Sequence, residues 1–267
     1  MKININGKIM DTNERTAFSL RKRIGRENDI VILNGYQLQE DNEIQANDIV
    51  TIIKKGTMPG KDELESMLTA RHTPNVHNRI KKGKVVVAGL GGLGSNIAIM
   101  LARTGVGKLL LVDYDVVEPS NLNRQHYNIS HLGMYKTEAL EKQINEINPY
   151  VEIETRNIKV TENNIVKLFT GYDIICEAFD GPEAKSILVN VVLEKLQDAY
   201  IVAASGMAGY DSSNMIQTTN PIKNLYVCGD LENEAKIGQG LMAPRVNICA
   251  GHQANMVLRL LLGIKDI

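Results

Sequence analysis

The sequence predicts an α/β fold built on a mostly parallel sheet with flanking helices, preceded by a small β-rich domain. Three observations carry this. KVVVAG (84–89) and KLLLVD (108–113) are short apolar runs, as expected of strands buried on both faces. GLGGLG (89–94) separates them, followed by residues at helical spacing. Strand-like and helix-like segments then alternate to the end, which argues for parallel strands joined by right-handed crossovers in a Rossmann-like arrangement. The length, 267 residues, accommodates one large α/β domain with a smaller one beside it.

Residues 1–60 supply the small domain. Ile3 and Ile5 alternate with polar neighbours, Asn6-Gly7 is a tight-turn signal, and Ile9 follows. Ala17, Leu20 and Ile24 recur at helical spacing, and 29–33 and 48–53 are β-branched runs. Strand, strand, helix, strand, strand in this length suggests a β-grasp, the ubiquitin-like arrangement. GTMPG (56–60) reads as a linker, and 61–83 as a charged segment that starts helical.

The large domain is expected over 84–267. After KVVVAG a helix is predicted from Asn96 to Arg103, and after KLLLVD another from Lys136 to Ile147, with Leu140, Ile144 and Ile147 on one face. Residues 151–155, YDIICEA and YIVAAS are strand candidates. Helices are expected over about 183–196 and about 246–262.

Composition narrows the function. Thirty basic and 31 acidic residues leave a formal charge of -1, so nothing global steers the chain toward nucleic acid or an anionic membrane. Cys176, Cys228 and Cys249 are far apart and form no Cys-x-x-Cys pair, which argues against a disulfide framework and against a four-cysteine zinc site. Buried thiols suit a reducing cytoplasm. MKININGKIMDTNER lacks a signal-peptide core, and MVLRLLLGI contains Arg259 and is too short for a membrane span. The expectation is a cytoplasmic protein with no membrane partner.

The glycine turn, Gly89, Gly91, Gly92 and Gly94, has the context a nucleotide site needs. Glycines let the backbone approach a phosphate, and the N–H groups opening the next helix point at the anion. Asp113 ends the second strand, where a carboxylate takes both ribose hydroxyls. This is strong for a nucleotide and silent on which one. Alone, it fits a dinucleotide oxidoreductase.

DYDVVEPSNLNRQ (113–125), GMYK (133–136) and EAFD, ending at Asp180, change the reading. With GLGGLG they resemble the ubiquitin-activating-enzyme-like superfamily of ThiF, MoeB and HesA over about residues 70–263, and within it ThiF most. The resemblance implies adenylation, with ATP and Mg²⁺, of the C-terminal glycine carboxylate of a ThiS-type sulfur carrier in thiamine biosynthesis. It also implies a homodimer. An arginine ahead of the first strand, Arg71 or alternatively Arg79, would reach ATP in the partner subunit. The charge logic agrees. A carboxylate must meet a triphosphate, and Arg124 and Lys136 supply the cations. Asn121 can bond phosphate, Gln125 can hold the segment, and Asp180 can hold Mg²⁺ or cap the following helix. Asp115 is left as a loop cap or nothing. Activation of another carrier, such as the molybdopterin type, and a non-catalytic carrier-binding scaffold are the competing readings.

The chain departs from the family in two ways. It lacks the paired Cys-x-x-Cys zinc ligands of many relatives, so no zinc is expected. EAKIGQGLMAPR carries no cysteine where some ThiF enzymes bond covalently to the carrier. The small domain looks ThiS-like, yet Gly60 continues into Lys61 and leaves no free carboxylate.

Overall fold

The computed structural model describes residues 1–72 and 74–267. The chain forms two compact units, Met1–His77 and Asn78–Ile267.

In the first unit β1 (Lys2–Ile5) turns through Asn6-Gly7 into β2 (Lys8–Asp11). Both turn residues have positive φ, 49° and 83°, the conformation that asparagine and glycine tolerate best. Thr16 caps α1 (Ala17–Ile24) by accepting from Ser19 N–H at 3.3 Å. β3 (Ile30–Leu33), β4 (Tyr36–Gln37) and β5 (Ile49–Ile53) complete a sheet of order β2-β1-β5-β3-β4, in which β1 and β5 are parallel. This is the ubiquitin-like arrangement. Ile3, Ile5, Val31, Val50 and Ile52 close on Ala17 and Leu20 of α1. β4 is two residues long and follows a second turn, Asn34-Gly35, that the sequence reading passed over.

After Gly60 the chain enters α2 (Lys61–His72) at once, and α3 (Pro74–Ile80) follows. The segment 61–83 is therefore more helical than expected. α2 is tied to the β1–β2 turn: Asn6 Nδ2 donates to Glu63, and a Cβ at Gly7 would collide with Ser66 Oγ.

The second unit contains β6 (Lys84–Ala88), α4 (Gly92–Thr104), β7 (Lys108–Asp113), α5 (Lys136–Ile147), β8 (Glu152–Asn157), α6 (Glu162–Phe169), β9 (Ile174–Glu177), α7 (Pro182–Lys195), β10 (Tyr200–Ala204), β11 (Gln217–Ile222), β12 (Leu225–Gly229) and α8 (Ala243–Leu261). The sheet order is β11-β12-β10-β9-β6-β7-β8, parallel throughout except for β11. This is the mostly parallel Rossmann-like sheet that the apolar runs predict. Val86, Ala88, Leu110, Val112, Ile175 and Ile201 form its interior and are nearly inaccessible.

One expectation needs correction and three elements are additions. α4 starts at Gly92, not Asn96, because the glycine turn itself provides its first turn. α6, β11 and β12 were not foreseen. No helix among the described residues is long and apolar enough to cross a membrane. Chain order reverses between β6 and β9. A ligand crevice forms at such a switch point, at the carboxyl ends of the strands.

Candidate functional site

The glycine turn leaves β6 at that switch point, and its four glycines do different work. Gly89 has φ +89°, and a Cβ there would lie 2.7 Å from Ala178 O. At Gly94 a Cβ would lie 1.8 Å from Gly89 O. These two let β6, β9 and α4 pack. Gly91 is different: the nearest atom to an added Cβ is Gln125 Nε2 at 3.9 Å. Gly92 faces Val246 Cγ1 at 3.0 Å and the Arg124 stem at 3.5 Å. No side chain caps α4 at Gly91, so its first N–H groups have no side-chain competitor for an anion.

Asp113 stands beside the turn and is buried. Its carboxylate accepts N–H groups of Leu90 at 2.6 Å, Tyr114 at 2.7 Å and Asp115 at 2.8 Å. A carboxylate offers about four acceptor positions, so roughly one remains. Tyr127 completes this corner by donating from Oη to Leu90 O at 2.9 Å, and burial pushes its phenol well up.

The segment between β7 and α5 folds onto the turn. Asn121 is buried and its Oδ1 accepts from Glu118 N–H at 3.0 Å. Arg124 donates from Nη1 to Asn123 Oδ1 at 2.8 Å and Ser120 O at 3.2 Å, while its Nε is buried without a hydrogen-bond partner among the described residues. Gln125 lies beside Gly91, and its buried Oε1 also lacks a hydrogen-bond partner among the described residues. Two residues missed in the sequence hold this segment. Ser95 Oγ donates to Gly91 O at 2.7 Å and accepts from His126 N–H at 3.0 Å. Asn96 Nδ2 donates to Gly92 O at 2.6 Å and Arg124 O at 3.2 Å. Two adjacent polar residues on the buried side of an apolar helix were the available signal.

Lys136 opens α5, is buried, and pairs through Nζ with Asp115 Oδ2 at 2.9 Å. Asp115 is thus the ion-pair partner of Lys136.

Asp180 follows β9 and is exposed; its side chain makes no hydrogen bond or ion pair among the described residues. It does not cap α7: Gly181 takes that position, with no side-chain bond. Glu177, unforeseen and 1% exposed, accepts from Lys185 Nζ at 3.0 Å and from Phe179 N–H at 2.7 Å. Burial pushes its carboxyl up, opposed by Lys185.

Gly89, Gly91, Gly92, Gly94, Asp113, Asn121, Arg124, Gln125 and Lys136 therefore belong to one corner of the second unit, with Asp180 at the end of the neighbouring strand. Arg71 lies in the other unit, exposed at the end of α2. Arg79 lies near Gly263, past the end of α8 remote from Gly92. A cavity of about 460 Å³ lined by Lys84, Lys108, Arg156 and Lys167 lies elsewhere, near the start of β6 and β7.

The three cysteines are free and buried. Burial raises all three thiol pKa values, that of Cys228 to about 11 against a hydrogen bond from Thr218.

Similarities to known proteins agree with this geometry. The ThiF family matches residues 65–267, and the ThiS-like ubiquitin family matches 1–56. Adenylyltransferase and sulfurtransferase UBA4 of Saccharomyces cerevisiae is 31% identical over 194 residues, 70% of this chain and 43% of the relative. Ubiquitin-like modifier-activating enzyme 5 of Caenorhabditis elegans is 34% identical over 160 residues, 56% of this chain and 38% of the relative. The chain spans less than half the length of these curated relatives. Among solved structures, E. coli tRNA N6-threonylcarbamoyladenosine dehydratase TcdA, in complex with ATP, superposes with a TM-score of 0.69 at 20% identity. The superposition covers 78% of this chain and 98% of that one and shows a shared fold. The chain belongs to the ThiF family and carries a ThiS-like ubiquitin domain at its N-terminus.

Proposed function

We propose that this protein uses ATP–Mg²⁺ to adenylate the C-terminal glycine carboxylate of a separate ThiS-type sulfur carrier, releasing pyrophosphate, in thiamine biosynthesis. The observation that carries the reading is the uncapped start of α4 at Gly91 and Gly92, with the stem of Arg124 on Gly92. Family membership and the adenylyltransferase relatives support it.

Bare N–H groups and open glycines fit a phosphate chain, so the fold supports ATP at this turn. Arg124 and Lys136 neutralise phosphate oxygens, Asn121 and Gln125 bond them or hold the segment, and Asp113 takes one ribose hydroxyl. Unpartnered nitrogen on Arg124 and oxygen on Gln125 suit that role. Lys136 must share or exchange Asp115 to do so. Asp180, exposed and without a hydrogen bond or ion pair among the described residues, fits Mg²⁺, which is commonly held by one or two carboxylates plus phosphate oxygens. The metal supplies charge neutralisation on the leaving pyrophosphate. The attacking carboxylate is already ionised at neutral pH, so no general base is needed. Catalysis is positioning and charge stabilisation.

The carrier is a separate protein because the fused domain presents no carboxylate: Gly60 runs into α2, which is bonded back to the β1–β2 turn. We assign a cytoplasmic homodimer, with Arg71 reaching the partner's nucleotide. Three free thiols suit a reducing compartment. Activation of another ubiquitin-like carrier is the second reading, favoured by relatives whose names specify no ThiS.

ATP–pyrophosphate exchange tests the proposal. Exchange that requires added ThiS and disappears in Asp180→Ala supports it. Tight ATP binding with no exchange for any carrier refutes it.

A further inference from the structure

Arg245 is the third residue of α8 and is 3% exposed. Its Nη2 pairs with Asp230, while Nε and Nη1 are buried with no hydrogen-bond partner among the described residues. Asp230 has little left to offer them. It accepts Glu232 N–H at 2.9 Å, Asn233 N–H at 2.8 Å and Asn233 Nδ2 at 2.7 Å. A guanidinium carries five N–H donors, and here two of its three nitrogens are unused inside the protein.

The position of this cation is the second observation. α8 begins without a side-chain cap at Met242, and Pro244 contributes no N–H to its first turn. The next residue, Val246, lies 3.0 Å from where a Cβ on Gly92 would stand. The N-termini of α4 and α8, both bare of side-chain caps, therefore converge at Gly92, where the Arg124 stem also rests. The two positive helix ends, with the Arg124 stem at Gly92 and the Arg245 guanidinium held on Asp230 in the first turn of α8, can receive more than one anion.

Adenylation brings two anions together. The α4 turn, Arg124 and Lys136 suffice for the nucleotide phosphates. We propose that Arg245 holds the terminal carboxylate of the carrier, seating it at the start of α8 beside the phosphate held by α4. The assignment rests on the adenylation reading and deepens it. Arg245 is covered in this structure. The carrier tail reaches it by displacing the segment 231–242, which joins Asp230 to α8 without a helix or strand. That segment is held to 207–209 by Met207 and Ala208 N–H groups on Asn233 O, both at 3.1 Å, and Gly209 N–H on Gly240 O at 2.8 Å.

The test is ATP–pyrophosphate exchange with added ThiS for wild type, Arg245→Met and the double variant Asp230→Asn, Arg245→Met. ATP binding is measured alongside by calorimetry, and folding by thermal melting. Arg245→Met leaves Asp230 as a lone buried carboxylate, whereas the double variant removes that charge and keeps an acceptor for Glu232 and Asn233. The expected result is a carrier KM raised about 10- to 100-fold in both variants, with ATP affinity within about twofold of wild type. The double variant melts closer to wild type but keeps the high KM. A double variant that recovers both melting point and KM gives Arg245 a purely structural role and overturns the proposal, as does an unchanged KM. Failure of the wild type itself to exchange with ThiS overturns the ThiS-type reading on which the assignment rests; wild-type exchange with no change in the variants overturns the Arg245 assignment alone.

Discussion

Gly91→Ala and Gly94→Ala separate phosphate binding from packing within one turn. At Gly94 an added Cβ lies 1.8 Å from Gly89 O, a backbone atom that cannot swing away. β6 and α4 must part by more than about 1 Å, an overpacking that costs on the order of 3 kcal/mol. For a unit of this size that lowers the melting temperature by about 6–12 °C. At Gly91 the nearest atom is 3.9 Å away, so space is open, but φ -74° with ψ -149° lies outside the main basins of alanine. Stability there should fall by about 1 kcal/mol, from the backbone alone. The new methyl stands where a phosphate would approach the start of α4, so ATP affinity should fall at least about tenfold, or about 1.4 kcal/mol. Thermal melting and ATP titration calorimetry on both variants decide the matter. A Gly91→Ala protein that binds ATP as wild type does, or a Gly94→Ala protein that melts with wild type, refutes the division of labour.

Asp113→Ala removes the acceptor for three N–H groups, including that of fully buried Leu90, and should cost about 1–3 kcal/mol in urea unfolding. Asp113→Asn, which keeps one acceptor, should lose less; equal loss would argue against the buttress. The native thiols should resist iodoacetamide at about pH 8 and react only in denaturant, because their raised pKa values leave them protonated there; rapid alkylation of one thiol in the folded protein would contradict this. Glu177 holds its proton more tightly folded than unfolded, so its contribution to stability falls as pH rises above the ordinary carboxylate value. The stability of wild type minus that of Glu177→Gln should decline as pH rises above the ordinary carboxylate value, and a rise would reverse the assigned cause.

Much of the fold was legible because its strands are buried on both faces. β6, β7, β9 and β10 read as apolar runs, and α5 was placed exactly because Leu140 and Ile144 recur at helical spacing. What escaped has physical reasons. β11, QTTNPI, is an exposed edge strand containing Pro221, so neither apolar content nor alternation marks it. The start of α4 is hidden because glycine opposes helix propensity, and only the close approach to β6 and β9 justifies it there. The SNLNRQ segment was legible as a candidate-site stretch, since residues at short spacing carry it. The ion pairs were not: Lys136 with Asp115, Lys185 with Glu177 and Arg245 with Asp230 are created by the packing of separate elements.

The most direct test of the central claim is intact-mass spectrometry of a ThiS-type carrier ending in Gly-Gly, incubated with this protein, ATP and Mg²⁺ without a sulfur donor. The expected product is a carrier heavier by one adenylyl group. The adduct should be absent when the terminal carboxylate is amidated and strongly reduced with Arg124→Ala or Lys136→Met. An unmodified carrier in the presence of bound ATP, or AMP attached to the fused N-terminal domain instead, would contradict it.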